Sequence, residues 1–179
     1  MSSGRPERPI GANTLFRRMR RDHEHVLERM GALEAMLRPS KRGNAKLEPS
    51  VRDILELLGS EFASHMAAED DLLYPAILAA IPAAAGSIET LLAEHLELRQ
   101  MLLRLRDLMG EASTPDRAEQ IRVQVHDLND LLRLHVEKEE SLVFRLAPRL
   151  LAPREIAAMA ARLSKRKTEP SPRSKGVSR

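Results

Sequence analysis

An all-α chain folded as an up-down-up-down four-helix bundle is expected from three features of the 179 residues. Apolar residues recur at helical spacing over four long stretches, helix breakers fall between those stretches, and no segment alternates like a strand. The first stretch spans about residues 13–38 and stops before the run Pro39 to Asn44. The second, about 50–80, ends at Ile81 to Gly86, and the third, about 87–112, at Gly110 to Pro115. The fourth covers about 116–147, and a shorter fifth helix is expected over about 153–163, with Pro153 in its first turn where a missing N–H is harmless. Asn13, Ser50, Ser87 and Thr114 are read as N-cap or near-cap residues, whose side-chain oxygens accept from unpaired backbone N–H groups. Short connections between long helices make antiparallel neighbours the simplest packing.

The chain also repeats itself. HMAAEDDLLY from His65 aligns with HVEKEESLVF from His135 at an offset of 70, sharing His, Glu, an acidic residue, Leu and a terminal aromatic. Asp22-His23 and Glu94-His95 match at an offset of 72. Two related helical hairpins, facing each other about a pseudo-two-fold axis, bring such paired motifs together at the centre of a bundle.

Composition narrows the chemistry. With no cysteine there is no disulfide, thiolate zinc site or cysteine-held iron–sulfur cluster, so any metal must be held by His and carboxylate. Aromatics are 2% of the chain, too few to stack unpaired bases, so nucleic acid is expected only in weak contact through a basic tail. Residues 165–179 hold six Lys/Arg and one Glu, which leaves the rest of a +3 chain slightly acidic. That tail is expected to be disordered, or to tether an anionic or protein partner. No apolar run approaches the ~20 residues of a membrane helix, and the N-terminus lacks a signal-peptide centre, so a cytoplasmic protein without a membrane segment is expected. The organisation expected is a flexible N-terminus (1–12), the bundle (13–150), a short C-terminal helix (151–164) and the tail (165–179).

Histidines sit inside the apolar stripes. A helix turns about 100° per residue, which places Phe16, Met19, Val26, Leu27, Met30 and Leu37 within about 60° of His23. His25, about 200° away, and His126 point to solvent by the same measure. His65 shares its face with Ile54, Leu58, Phe62, Glu69 and Leu72; His135 with Leu128, Leu131, Leu132, Glu139 and Leu142; His95 with Leu91, Leu92, Leu98, Leu102 and Met109. Each long helix thus turns one imidazole inward, and two add a Glu one turn later. Two ionised carboxylates among four imidazoles are hard to keep in an apolar core without a cation. Nitrogen and carboxylate donors suit iron, manganese or zinc. Ferritin-like carboxylate centres place Glu before His, as Glu-x-x-His; here the order is His-x-x-x-Glu, so that class is excluded.

Together, Asp22-His23, His65 to Asp70 followed by LLYP, Glu94-His95, and His135 to Glu140 resemble the haemerythrin-like, or HHE cation-binding, family over about residues 13–150. The resemblance implies a four-helix bundle around a non-haem di-iron centre, with two irons per chain. It makes His23, His65, His95 and His135 terminal ligands and Glu69 and Glu139 bridges, and it leaves two coordination places open for a small ligand. Oxygen-carrying haemerythrins have a second His one turn after the third-helix His, where this chain has Arg99. Arg99 has no lone pair to give; it either faces the metals and anchors an anionic ligand or pairs with a surface carboxylate at the stripe edge. Glu61, one turn before His65, is a further candidate beside the ligands, Asp70 and Glu140 are read as outer partners of the site, and Tyr74 as packing. Binding or sensing of dioxygen is the expected function. Decomposition of peroxide by a catalase-like enzyme, or an interaction module with a structural metal and the basic tail, are the alternatives.

Overall fold

The computed structural model describes residues 10–37, 47–111 and 114–168, and every regular element among them is helical. Helix α1 is Ile10–Leu37. Helix α2 runs over residues 47–80 as α-helical pieces Leu47–Leu57, Ala63–Ala68 and Tyr74–Ala80, joined by π-helical turns at Leu58–Phe62 and Glu69–Leu73. After a 3₁₀ turn, Pro82–Ala84, come α3 (Ala85–Gly110), α4 (Pro115–Leu150) and α5 (Pro153–Thr168).

The π turns have local causes. Ser60 and Ser64 donate their hydroxyls to the carbonyls of Glu56 and Ser60, at 2.7 and 2.9 Å, which competes with the helical ladder near the first turn. Pro75, just past the second, brings no N–H and crowds the carbonyl four residues earlier.

Three expected caps fall elsewhere. Asn13, Ser50 and Ser87 lie inside the first turn of their helices, because α1, α2 and α3 begin two or three residues earlier than the apolar pattern does. Thr114 does cap α4, accepting from the Arg117 amide at 3.1 Å. Arg117, itself buried, donates Nε to the Leu108 carbonyl at 2.8 Å, a cation satisfying the C-terminal end of α3. At the C-terminus the helix continues to Thr168, so residues 165–168 belong to α5 and not to a disordered tail. Likewise α1 takes in residues 10–12 of the expected flexible terminus. The remaining terminal residues, 1–9 and 169–179, lie outside the described residues.

Helix α1 packs on α2, α4 and α5, and α3 packs on α2 and α4. The buried apolar side chains form two clusters. One gathers Met30, Val51, Leu58, Leu98, Val125 and their neighbours; the other gathers Phe16, Met19, Leu73, Leu91, Phe144 and the inner face of α5 through Ile156 and Met159. In α1 and α3 the chain runs from the second cluster to the first, and in α2 and α4 from the first to the second. His23, His65, Glu69, His95, His135 and Glu139 occupy the layer between them. Burial of each large apolar side chain is worth about 1.5–3 kcal/mol, so two apolar clusters can support one polar layer that stabilises nothing by itself. No described helix is long and apolar enough to cross a membrane.

Candidate metal centre

All six inward groups are buried, none more than 3% exposed. They form two histidine pairs. His23 Nε2 lies 2.8 Å from His65 Nε2, and His95 Nε2 lies 3.0 Å from His135 Nε2. The other ring nitrogen of each histidine meets a carboxylate at the edge of the layer. Nδ1 of His23 faces Glu140 at 3.0 Å, that of His65 faces Asp22 at 3.5 Å, that of His95 faces Asp70 at 2.6 Å and that of His135 faces Glu94 at 3.1 Å. A carboxylate there accepts an Nδ1–H, which leaves the Nε2 lone pairs aimed inward.

The outer carboxylates follow a rule visible in the motifs. Asp22 neighbours His23 in sequence but orients His65; Glu94 neighbours His95 but orients His135. Asp70 and Glu140, each next to an inward Glu, orient His95 and His23. Each acidic partner in the DH, EH, ED and EE pairs therefore secures a histidine on another helix.

Two Nε2 lone pairs face to face repel unless a proton or a metal cation lies between them. Nitrogens each about 2.1 Å from one ion, at right angles, are about 3.0 Å apart, close to the separations in both pairs. Glu69 spans the pairs, with Oε1 2.7 Å from His65 Nε2 and Oε2 3.4 Å from His95 Nε2. Glu139 Oε2 lies 3.3 Å from His23 Nε2 and 3.9 Å from His135 Nε2. Close as they are, both Glu69 oxygens and Glu139 Oε2 receive no properly directed hydrogen bond. Buried carboxylate oxygens left in this state are expensive, and a shared cation would satisfy them. The donors divide into two candidate ion sites: His23, His65, Glu69 and Glu139, and Glu69, His95 and His135. Glu69 is common to both.

Charge inside the layer is frustrated without a cation. Burial, reinforced by repulsion from Glu139, holds the Glu69 carboxyl well above the usual range. Burial opposes ionisation of Glu139 too, but the close approach of His23 and the charge of the surrounding imidazoles outweigh it and hold this carboxyl low. Burial also opposes charge on His95, yet Asp70 and Glu69 overcome it and raise the imidazole to about 9; burial and the charge of His95 push His135 down to about 4. Protons therefore stand where a metal needs lone pairs. Loading with a divalent ion is expected to release protons, measurable with an indicator dye in weak buffer, and affinity is expected to fall as the pH is lowered.

The structure brings Tyr74 into this layer, contrary to its reading as packing alone. Its ring stacks on His95, with centroids 5.6 Å apart, and its hydroxyl donates to Glu139 Oε1 at 2.9 Å. Burial, and then the negative charges of Glu69 and Glu139, hold that phenol well above its ordinary value, so it stays a donor. Nine residues from His65 is nominally the opposite face, but the buried arc of these helices is wide. Phe144, the same step beyond His135 in a helix without a π turn, is buried and stacks on His23 at 5.3 Å. In α2 the Glu69–Leu73 π turn shifts the phase further. The signal was the terminal aromatic shared by the two repeats. Tyr74→Phe keeps the stacking ring and removes the donor; it is expected to destabilise the protein by about 1–3 kcal/mol in chemical denaturation.

The structure places the other residues considered from the sequence as follows. Glu61 is exposed, and Phe62, one residue on in the Leu58–Phe62 π turn, covers the site by stacking on His65 at 5.4 Å. Leu92 and Leu142, assigned to the faces of His95 and His135, are exposed. Arg99 donates Nη2 to Asp70 Oδ2 at 2.6 Å, so it reaches the centre only through the carboxylate that holds His95. Removing that carboxylate by Asp70→Asn is expected to weaken metal affinity about 10–100-fold in chelator competition. His25 is exposed, and His126 meets Glu34 at 2.8 Å on the surface, away from the layer.

A helical bundle holding a His/Glu centre of this kind defines a class of cation-binding protein. Residues 14–147 match the family described as Hemerythrin HHE cation binding domain, and the chain belongs to that family. Among curated proteins, no relative matches the chain.

Proposed function

We propose that this chain is a non-haem di-iron protein that binds or senses dioxygen or a related small ligand at the His/Glu layer. The observation that carries the reading is the pair of two-histidine clusters spanned by Glu69, with Glu139 beside His23 and His65 and all four Nδ1 atoms facing outer carboxylates. Iron would supply Lewis acidity and one-electron redox change there. The protein supplies the rest. Asp22, Asp70, Glu94 and Glu140 fix the imidazole orientations, and Tyr74 holds a proton at its hydroxyl beside Glu139. Phe62 and Phe144 stack against His65 and His23 and keep bulk water away, which favours a small, weakly polar ligand.

The peroxide-decomposing alternative draws on open coordination places and on the nearby charge of Arg99, and that charge is paired with Asp70 at 2.6 Å. The side chains of residues 165–179, on which the interaction alternative rests, lie outside the described residues. Metal analysis with an optical spectrum of the aerobic protein tests the proposal. The expected result is close to two irons per chain and ferric absorption in the near ultraviolet that is lost on reduction and altered by azide. Colourless protein holding zinc, or a manganese protein, after expression with iron available would overturn it.

A further inference from the structure

We propose that the outer face of α3 is a self-complementary surface on which two copies of this chain pair antiparallel. Leu92, Leu96 and Leu103 are 38%, 58% and 56% exposed, whereas large apolar side chains elsewhere on α3 turn inward. With Arg99 they follow steps of four, three and four residues, the spacing of a coiled-coil seam. The same step pattern extends the seam to Glu89 at one end and Arg106 at the other, both exposed. From Glu89 to Arg106 the seam is about 25 Å long.

The seam reads the same in both directions. About a two-fold axis between Glu97 and Leu98, Leu92 of one copy meets Leu103 of the other, Leu96 meets Arg99, and Glu89 meets Arg106. Every match joins alternate positions of the heptad, as an antiparallel helix pair requires, and a two-fold interface needs such self-matching. A parallel pairing would set Glu89 against Glu89 and Arg106 against Arg106. Among the described residues neither Glu89 nor Arg106 makes an ion pair; Arg106 rests against Gly59 of α2, where an added Cβ would lie 3.1 Å from its Nη2. Arg99, at the centre, already has Asp70 as counter-ion, so two copies of it can approach the axis with their charge balanced and their aliphatic stems against Leu96. The other exposed leucine run, Leu142, Leu146 and Leu150 on α4, steps by four each time and drifts around the helix, so it forms no straight seam.

Light scattering on the metal-loaded protein at tens of micromolar should give twice the 20.1 kDa chain mass. Leu96→Glu and Leu103→Glu should each return the monomer mass, with helix content and metal content unchanged. Glu89→Arg should weaken the dimer, and Glu89→Arg with Arg106→Glu in the same chain should restore it. The chain has no cysteine of its own, so Leu92→Cys combined with Leu103→Cys tests the register. These positions are about 16 Å apart along one helix, too far for an internal disulfide, and an antiparallel pair should form a covalent dimer only with both substitutions present, whereas a parallel pair would crosslink with either one alone. Leu92→Cys alone should stay uncrosslinked. A parent that is monomeric at the highest concentration, a dimer indifferent to both glutamate substitutions, or crosslinking by the single cysteine would each overturn the proposal.

Discussion

Glu69→Ala is expected to abolish metal binding on both sides of the centre, leaving less than about a tenth of the parent's metal after desalting. The reason is that its two oxygens reach different histidine pairs, 2.7 Å from His65 and 3.4 Å from His95, and it is the one donor common to both candidate ion sites. Glu139 belongs to the His23/His65 group alone, since its Oε2 stands 3.9 Å from His135 while Tyr74 takes its other oxygen. Glu139→Ala, His65→Ala and His135→Ala should therefore lower metal content severely, but Glu69→Ala should lower it most. His25→Ala and His126→Ala are the controls. Both side chains are on the surface, and their loss should leave metal content at the parent level, read by elemental analysis per folded chain. Equal loss in the controls would mean that metal content follows general stability and would discredit the ligand set.

How far this centre could be read in advance depended on which distances helical geometry fixes. Four inward imidazoles and two inward carboxylates followed from steps of about 100° per residue, because each lies on a long helix whose apolar stripe marks the core. Tyr74 lies nominally opposite His65 yet enters the layer because the buried arc is wide and the Glu69–Leu73 π turn shifts the phase further, while Glu61 falls within the Leu58–Phe62 π turn, where a single α-helical phase does not hold. The serine and proline residues behind those turns are in the sequence, yet such residues mostly leave a helix regular, so they do not announce a phase change. Arg99 needed tertiary information of another kind: its partner, Asp70, lies 29 residues away on α2. The cross-helix rule by which Asp22 holds His65 and Glu94 holds His135 is also invisible along one chain, where each acid is adjacent to a different histidine. Leu92 and Leu142 lie at the margins of stripes, where a rotation of a few tens of degrees decides between core and solvent.

Substituting leucine for Glu69 should reverse the order of stability between metal-free and metal-loaded protein. This carboxyl is wholly buried, neither oxygen receives a directed hydrogen bond and Glu139 repels it, so without a cation it would cost the fold stability. A leucine of similar size removes those penalties and joins the apolar clusters on either side, so metal-free Glu69→Leu is expected to be more stable than metal-free parent by about 1–2 kcal/mol. Metal acts in the opposite sense, because an ion that binds only the folded chain stabilises it by about 2.7 kcal/mol at a hundredfold excess over its dissociation constant. At about 2–4 °C per kcal/mol for a chain of this size, chelation should lower the parent's melting temperature by about 5–10 °C and leave that of the variant unchanged. The parent should therefore melt above the variant when loaded and below it when stripped, as read by calorimetry with and without chelator. If stripped parent, shown to be metal-free by elemental analysis, melts at the temperature of the loaded protein, the buried carboxylates are satisfied without a cation and the metal centre loses its physical basis.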